Sequence, residues 1–268
     1  MKITCLIEDT SCFSEYDKES GLSLYISTDS ENILFDFGIE DKFLKNARKL
    51  PVDIKGVDKA FISHGHYDHG GGAGAFLEAN ADTPIYIQKS AFGKYYARIK
   101  GNLKYGGFDQ DLAHNPRFVN LEGTTKIGED LHIISDVHPK NTVESLLMEK
   151  DGEIIPDTFE HEQSLVISEN GKKTLISGCS HCGIDHILAK AQEICGKIDF
   201  LIGGFHLISY DFSNSNDLAV IDTLARNLLS EGVMCYTCHC TSTKGYVRLK
   251  NIMGDNISYL STGTTIKI

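Results

Sequence analysis

The chain has 268 residues, enough to bury a large core, and its content of 41% hydrophobic and 24% charged residues is ordinary for a globular protein. A formal net charge of −11 argues against a general nucleic-acid binder, whose affinity depends on a basic surface. No apolar run approaches the roughly 20 residues of a membrane span, so we expect a small-molecule substrate rather than a nucleic-acid or membrane partner.

The segment from Met1 to Thr10 predicts a short strand rather than the apolar core of a signal peptide. We therefore expect a cytoplasmic location. The eight cysteines are then expected to be free thiols or metal ligands, because a reducing compartment disfavours disulfides. The oligomeric state is left open.

Short apolar, β-branched segments separated by turn residues predict strands. In chain order they are Ile3–Ile7, Leu22–Ile26, Ile33–Phe35, Ala60–Ser63, Ile85–Gln88, Leu131–Ser135, Ser145–Met148, Leu165–Ile167, Thr174–Ser177, Phe200–Ile202, Val233–Tyr236 and Ile257–Leu260. Helical patterns fall at Glu40–Leu50, Gly72–Asn80, Ser90–Lys100, Ile184–Cys195 and Asn216–Ser230. Without a linker or a repeat between them, these elements predict one α/β domain over residues 1–268.

The segment Thr83–Phe108 has no acidic residue. Its basic residues, with aromatic residues among them, are Lys89, Lys94, Arg98, Lys100 and Lys104. One interpretation is a solvated helix face followed by a mobile, glycine-containing loop. The other is a lid or wall that meets an anionic, aromatic substrate.

A dense cluster of potential metal ligands follows the predicted strand Ala60–Ser63. The cluster reads His64-Gly65-His66-Tyr67-Asp68-His69 and is followed by three glycines. Residues i and i+2 leaving a strand point the same way, so His64 and His66 can share one metal ion, with Asp68 and His69 beside it. Nitrogen and oxygen donors at this density predict one or two ions, with zinc favoured and manganese or iron as alternatives.

This cluster resembles the signature of the metallo-β-lactamase superfamily. The segment Ile33–Gly38 also resembles the early strand and turn of that superfamily. The resemblance implies a four-layer αβ/βα sandwich with a metal site at one edge, between two sheets. In such a fold Asp36 lies close enough to orient a ligand histidine.

Three later motifs look like one branch of the superfamily. They are Gly178-Cys179-Ser180-His181, Gly203-Gly204-Phe205-His206-Leu207 and His239-Cys240-Thr241. The branch contains archaeal dihydropterin–ribofuranosylaminobenzene phosphate synthases and bacterial proteins described only as metal-dependent hydrolases. The resemblance implies that His181 is the third ligand of the first ion. It also implies that His239, Asp68 and His69 bind the second ion.

Several alternatives remain at this stage. His161 is the rival of His181, although we favour a supporting or loop role for it. His206 is expected near the substrate, and His186 is expected to be structural. Cys179 stands where most of the superfamily has a bridging aspartate, so it is either a thiolate ligand or a small buried residue.

Two further cysteine patterns are weaker. Cys179/Cys182 and Cys235/Cys238 have the pair spacing of a four-thiolate zinc site, but the pairs lie far apart for a compact zinc ribbon. The segment Cys235–His239 matches a c-type haem attachment pattern, which requires export, and no export signal is expected.

The leading hypothesis is a metal-dependent hydrolase that activates water against a small, anionic ester or phosphoester, with Asp68 holding a metal ion and orienting the nucleophile. An alternative is a transferase that joins a dihydropterin to ribofuranosylaminobenzene phosphate. A second alternative is a non-hydrolytic iron or thiol protein with a redox or sensing role.

Overall fold

A computed structural model describes residues 1–139 and 143–268. The strands in this part of the chain are β1 (Lys2–Ile7), β2 (Ser23–Ser27), β3 (Asn32–Phe35), β4 (Lys59–Phe61), β5 (Ile85–Gln88), β6 (Tyr95–Ile99), β7 (Asn102–Tyr105), β8 (Phe118–Leu121), β9 (Thr125–Ile127), β10 (Leu131–Ile134), β11 (Leu146–Lys150), β12 (Glu153–Pro156), β13 (Ser164–Glu169), β14 (Lys172–Ile176), β15 (Phe200–Gly203), β16 (Met234–Thr237), β17 (Ile257–Tyr259) and β18 (Thr265–Lys267). The helices are α1 (Lys42–Lys49), α2 (Tyr67–Gly70), α3 (Ala73–Ala79), α4 (Ile184–Cys195), α5 (Ser215–Ser230) and α6 (Ser242–Met253).

Two large sheets form the centre of the molecule. The first has the order β18-β1-β2-β3-β4-β5-β8, and the second has the order β17-β16-β15-β14-β13-β10-β9. A smaller sheet has the order β12-β11-β6-β7. Within the second large sheet, β14, β15, β16 and β17 run parallel, so the carboxyl ends of these strands lie at one edge.

Three apolar clusters separate four layers. One contains inward-facing residues of both large sheets, such as Phe35 of β3 and Ile176 of β14. Another packs the first sheet against α1 and α3 through Phe43 and Phe76. The third packs the second sheet against α4, α5 and α6. These layers confirm the predicted αβ/βα sandwich.

Every strand predicted from the sequence overlaps an observed strand, and α4 has the predicted bounds. The predicted helix Ser90–Lys100 is wrong. A single 3-10 turn, Lys89–Phe92, ends at Gly93, and Tyr95–Ile99 then forms strand β6. Tyrosine and isoleucine favour strands, and β6 pairs with β7 on one side and β11 on the other.

The predicted loop is replaced by a hairpin, because Gly101 lies in the tight turn between β6 and β7. Helix α6 had no sequence prediction. Among the described residues, no helix combines the length and the apolar character needed to cross a bilayer.

Candidate metal centre

The predicted ligands converge from both large sheets. His64, His66, Asp68 and His69 follow β4 and enter α2. His181 follows β14, and His239 follows β16. Because strand ends of the two sheets face each other at this edge, residues far apart in sequence meet in one buried cluster.

The first group of candidate ligands consists of His64, Cys179 and His181, whose ligand-type atoms all lie within 4.8 Å of one another. The Nε2 atoms of His64 and His181 are 3.3 Å apart. Two nitrogens bound to one tetrahedral zinc ion at about 2.05 Å lie about 3.3 Å apart. The spacing of these nitrogens therefore fits a shared metal ion.

The orientation of His64 follows from a chain of hydrogen bonds. Ser63 Oγ donates to Asp36 Oδ2 at 2.8 Å, so it accepts from His64 Nδ1 at 2.8 Å. This assignment leaves the lone pair of Nε2 directed toward His181. In the described part of the chain, Nδ1 of His181 is buried without a hydrogen-bond partner.

The second group consists of Asp68, His69, Cys179 and His239. The Oδ2 atom of Asp68 lies 3.8 Å from Nε2 of His69 and 3.5 Å from Nε2 of His239. The Sγ atom of Cys179 lies 3.2 Å from Nε2 of His69. Among the described residues, Nε2 of His239 is buried and has no hydrogen-bond partner, so it is open to a cation.

Carboxylates fix both histidines of the second group. Asp36 Oδ2 accepts a hydrogen bond from Nδ1 of His69 at 2.7 Å, and Asp9 Oδ1 accepts one from Nδ1 of His239 at 2.6 Å. Each imidazole therefore presents Nε2 to the centre. The predicted role of Asp36 in orienting a histidine is confirmed, and this arrangement is common where histidine binds metal.

His66 lies between two sets of neighbours. Its ring centroid is 4.6 Å from that of His64 and 4.9 Å from that of His181. Its ligand-type atoms group with Asp157 and His161, and Nε2 is 3.7 Å from Asp157 Oδ2. The ring is adjacent to the first group and also faces the carboxylate of Asp157.

His161 already has a partner for each ring nitrogen. Its Nδ1 accepts a hydrogen bond from the amide of Gly65 at 2.9 Å, and its Nε2 donates to Asp157 Oδ2 at 3.0 Å. A histidine with both nitrogens engaged has no free lone pair for a metal. These contacts favour the supporting role that we expected for His161 over its role as rival ligand.

The comparisons with known proteins identify the family. The profile of the metallo-β-lactamase superfamily matches residues 16–227. The chain belongs to this superfamily.

Three relatives match the chain along nearly its whole length. The 7,8-dihydropterin-6-methyl-4-(beta-D-ribofuranosyl)-aminobenzene-5'-phosphate synthase of Methanocaldococcus jannaschii is 27% identical over 288 residues, covering 100% of this chain and 96% of the relative. An uncharacterized protein of the same archaeon is 27% identical over 271 residues, covering 98% and 99%. Tm1679, a metal-dependent hydrolase of the β-lactamase superfamily, has a crystal structure with a TM-score of 0.84 at 30% identity, covering 100% and 99%.

The electrostatics of the superfamily site suit a cation. Burial lowers the pKa of His64 and of His181 well below the ordinary value, and neighbouring imidazoles lower both further. Both rings are therefore neutral at pH 7, the form that binds metal. Burial alone would raise the pKa of Asp68, but His69 and His239 hold it below its usual range, so the carboxylate is ionised.

The pKa of His239 shifts in the opposite direction from the pKa values of His64 and His181. Burial alone would lower its pKa, but its contacts with Asp68 and Asp9 raise the pKa well above the ordinary value. A cation that binds Nε2 of His239 would compete with a proton for that nitrogen.

Two buried glutamates hold the ligand loops, and sequence reasoning missed both. Glu162 accepts hydrogen bonds from the amides of His181 at 2.7 Å and Cys182 at 2.9 Å. Glu8 accepts from the amide of His239 at 3.0 Å and from the hydroxyl of Tyr259 at 2.9 Å. The acidic pair Glu8-Asp9 after β1 was a usable signal, because both residues sit at a strand end.

The backbone is strained at the same edge. Asp36, Ser180, His206 and His239 adopt left-handed conformations with φ of 61°, 60°, 48° and 49°. Residues other than glycine rarely adopt this conformation, and such residues cluster at functional sites. The strain therefore supports a functional role for these loops.

The four-thiolate and haem interpretations find no support in the structure. Cys235 is buried in the cluster on the helix side of the second sheet, whereas Cys238 is buried between the two large sheets. None of the metal-compatible groups among the described residues joins the four thiols. Cys179 instead belongs to both groups of predicted ligands, as expected for a residue in the bridging position.

The β6–β7 hairpin borders the site. The amide of Tyr67 donates to the carbonyl of Gly106 at 2.9 Å, and the ring of Tyr95 lies 4.0 Å from that of His161. This contact favours the wall interpretation of Thr83–Phe108. Lys94 and Lys89, however, pair with Glu149 and Glu122 at 2.8 and 3.1 Å.

A cavity of about 430 Å³ lies beside the cluster. Its lining includes His181, Gly183, Phe205, His206, Tyr210 and Thr223. This volume falls within the range of about 300–1,000 Å³ that small-molecule sites occupy.

Proposed function

We propose that this chain is a zinc-dependent hydrolase that acts on a small, anionic ester or phosphoester. The observation that carries the proposal is the pair of facing Nε2 atoms of His64 and His181, 3.3 Å apart. Two buried, neutral imidazoles that face each other at the separation expected of two ligands of one zinc ion are best explained by a cation that both bind.

The donor types favour two zinc ions. His64, His66 and His181 would hold the first ion. Asp68, His69 and His239 would hold the second, and Cys179 is close enough to bridge the two groups. Imidazole and thiolate donors suit zinc, whereas manganese prefers sites richer in oxygen.

A bound zinc ion lowers the pKa of a coordinated water toward 7 and accepts the negative charge that develops on a substrate oxygen. The chain contributes orientation. Asp68 is ionised and has a side-chain exposure of 19%, so it can accept a hydrogen bond from water as well as bind a cation. Asp36 and Asp9 keep His69 and His239 in the tautomer that binds metal.

The cavity beside His181 and His206 would hold the organic part of the substrate. Phe205 and Tyr210 provide apolar, aromatic surface there. Ions bound at the cluster would supply the positive charge for an anionic group, since Lys89 and Lys94 are already paired with glutamates.

The test is metal analysis followed by turnover of chromogenic phosphodiester, phosphomonoester, ester and lactone substrates. The zinc-loaded wild type should hydrolyse at least one of them. Asp68→Asn should lose more than about 100-fold in kcat/KM, beyond the loss typical of residues that only orient a ligand. The matched control is Asp255→Asn, a fully exposed carboxylate, which should retain wild-type turnover.

Two results would refute the hydrolase proposal. One is turnover that survives both chelation and Asp68→Asn. The other is a native chain that contains iron with an oxygen-linked absorbance and lacks hydrolytic turnover, a result that favours a redox or sensing role.

A synthase is the second candidate, and the full-length similarity to the archaeal synthase favours it. A cavity with two aromatic side chains also suits a flat bicyclic ring. Incubation with a dihydropterin methyl diphosphate and ribofuranosylaminobenzene phosphate should then release diphosphate. Release of diphosphate that requires both substrates supports transfer, whereas release from the diphosphate alone supports hydrolysis.

A further inference from the structure

One cluster of side chains extends beyond the two groups of candidate ligands described above. Cys179, His206 and Cys240 bring ligand-type atoms within 4.8 Å of one another. Of these residues, only Cys179 also belongs to the two groups described above. The three residues follow β14, β15 and β16, so successive parallel strands bring them to the same edge of the second sheet.

The loops that follow β14 and β15 both contact the sulfur of Cys240. The amide of His206 donates to Cys240 Sγ at 3.3 Å, and the thiol of Cys240 reaches the carbonyl of Cys179 at 3.5 Å. A Cβ atom at Gly204 would collide with Cys240 Sγ, so glycine is needed at that position. The amide of Gly204 in turn donates to the carbonyl of Gly178 at 2.8 Å, which ties two of the loops together.

The ring of His206 lies beside these thiols and carries one unsatisfied nitrogen. Its Nδ1 is buried and, among the described residues, has no hydrogen-bond partner. Its backbone is also held in the left-handed conformation, with φ of 48°. Buried polar atoms are nearly always paired, so an unpaired nitrogen on a ring that lies beside two thiols points to a ligand.

We propose that Cys179, His206 and Cys240 form a third, sulfur-rich zinc site. Two thiolates and one imidazole are a known zinc donor set that leaves a fourth position open. In a tetrahedral zinc site two sulfurs lie about 3.8 Å apart, and a sulfur and a nitrogen lie about 3.5 Å apart. Ligand atoms already within 4.8 Å of one another need only small side-chain movements to reach these distances.

Binding at this site balances charge by releasing protons. The ion displaces the thiol protons of Cys179 and Cys240 to solvent, and both thiolates become ligands. Because Cys179 also lies in the group of Asp68, His69 and His239, its sulfur would bridge the second and third ions. His206 lines the cavity, so the open position would face a molecule bound there.

The test uses cobalt(II), which replaces zinc and reports thiolate ligands through a charge-transfer band in the near ultraviolet. Metal-free wild type should bind one more equivalent of cobalt than Cys240→Ser. It should also show a stronger band per chain, because the variant keeps only the thiolate of Cys179. His206→Asn should lose the same equivalent, since asparagine tolerates the left-handed backbone but removes the imidazole.

The matched control is Cys182→Ser. Cys182 is a buried thiol close to Cys179, outside the three-residue cluster. This variant should bind as much cobalt as the wild type and show the same band. If Cys240→Ser does not fold, as judged by its thermal transition, the partly exposed His206→Asn decides the question.

Two outcomes would overturn the third site. The first is an equal cobalt stoichiometry and band in wild type and His206→Asn. The second is a wild-type chain whose mass is lower by two hydrogen atoms, a form that is absent from Cys240→Ser. That mass would show a Cys179–Cys240 disulfide in place of a metal site. Asp68→Asn separates this proposal from hydrolysis, since it should lose turnover and retain the equivalent that depends on His206.

Discussion

Asp36 links the two groups of predicted ligands. Its Oδ2 accepts hydrogen bonds from His69 Nδ1 at 2.7 Å and from Ser63 Oγ at 2.8 Å, and Ser63 in turn orients His64. Its Oδ1 accepts from the amide of Ser63 at 2.7 Å. One buried carboxylate therefore sets the tautomers of a histidine in each group.

We expect Asp36→Asn to weaken zinc binding by about 10- to 100-fold, because an amide cannot accept all of these hydrogen bonds. Asparagine tolerates the left-handed backbone of Asp36, so the fold should persist. The measurement is zinc affinity by competition with a chromophoric chelator.

The control for Asp36→Asn is Asp136→Asn. Asp136 has a similar backbone, with φ of 58°, and lies exposed. It should bind zinc as the wild type does. Equal affinities in the two variants would contradict the orienting role of Asp36.

The candidate ligands could be predicted from the sequence, but most of the carboxylates that orient them could not. Histidines and an aspartate packed into one motif stand out because that density is rare without metal binding. Asp9 and His239, by contrast, are 230 residues apart, and their contact depends on how the two sheets pack. Only Asp36 was foreseen, through the resemblance of its turn to the superfamily.

At the level of elements, the β6–β7 hairpin shows where sequence patterns fail. Buried strands such as β3 and β15 have continuous apolar runs that identify them. In the hairpin, β7 is exposed along its whole length and β6 at its last two residues, and their basic residues and tyrosines fit a helix face as well as a strand. Pairing with β11, a non-local contact, decides the outcome.

Gly65 shows how closely this hairpin packs on the loop that carries His64 and His66. A Cβ atom at Gly65 would lie 2.5 Å from the Ala91 carbonyl oxygen and 2.5 Å from a ring carbon of Tyr95. We expect Gly65→Ala to lower the free energy of unfolding by about 1–3 kcal/mol, as overpacking does, and to weaken zinc binding through the displaced His64 and His66. Denaturant unfolding and zinc titration measure the two effects.

Gly74→Ala is the matched control for Gly65→Ala. Gly74 lies within α3 with nothing within 4 Å of its added Cβ. Alanine there should stabilise the fold by about 0.5–1 kcal/mol and leave zinc affinity unchanged. Destabilisation of the same size at both positions would exclude the packing explanation.

For the whole molecule, the main consequence is that the ligands come from both halves of the sandwich. His64, Asp68 and His69 follow the first sheet, whereas His181 and His239 follow the second. Bound ions would therefore connect the two large sheets at one edge. Such a connection stabilises only the folded chain, in which the ligands meet.

Chelation should lower the melting temperature of the zinc-loaded protein. Zinc at about 100 times its dissociation constant would contribute about 2.7 kcal/mol per independent site. Scanning calorimetry with and without a chelator measures the loss, and hydrogen exchange should increase most at the β14 and β16 ends. Asp68→Asn should respond less to chelation, and a wild type insensitive to chelation would contradict the connection.

The buried carboxylates around the centre also affect how the molecule behaves in an electric field. Glu8, Asp36, Asp157 and Glu162 are each at most 5% exposed, yet all four count toward the formal charge of −11. Every divalent ion that displaces fewer than two protons makes the net charge of the protein less negative. The metal-loaded and metal-free forms should therefore have different isoelectric points and form separate bands on native isoelectric focusing, so that this method reports the occupancy of the buried centre.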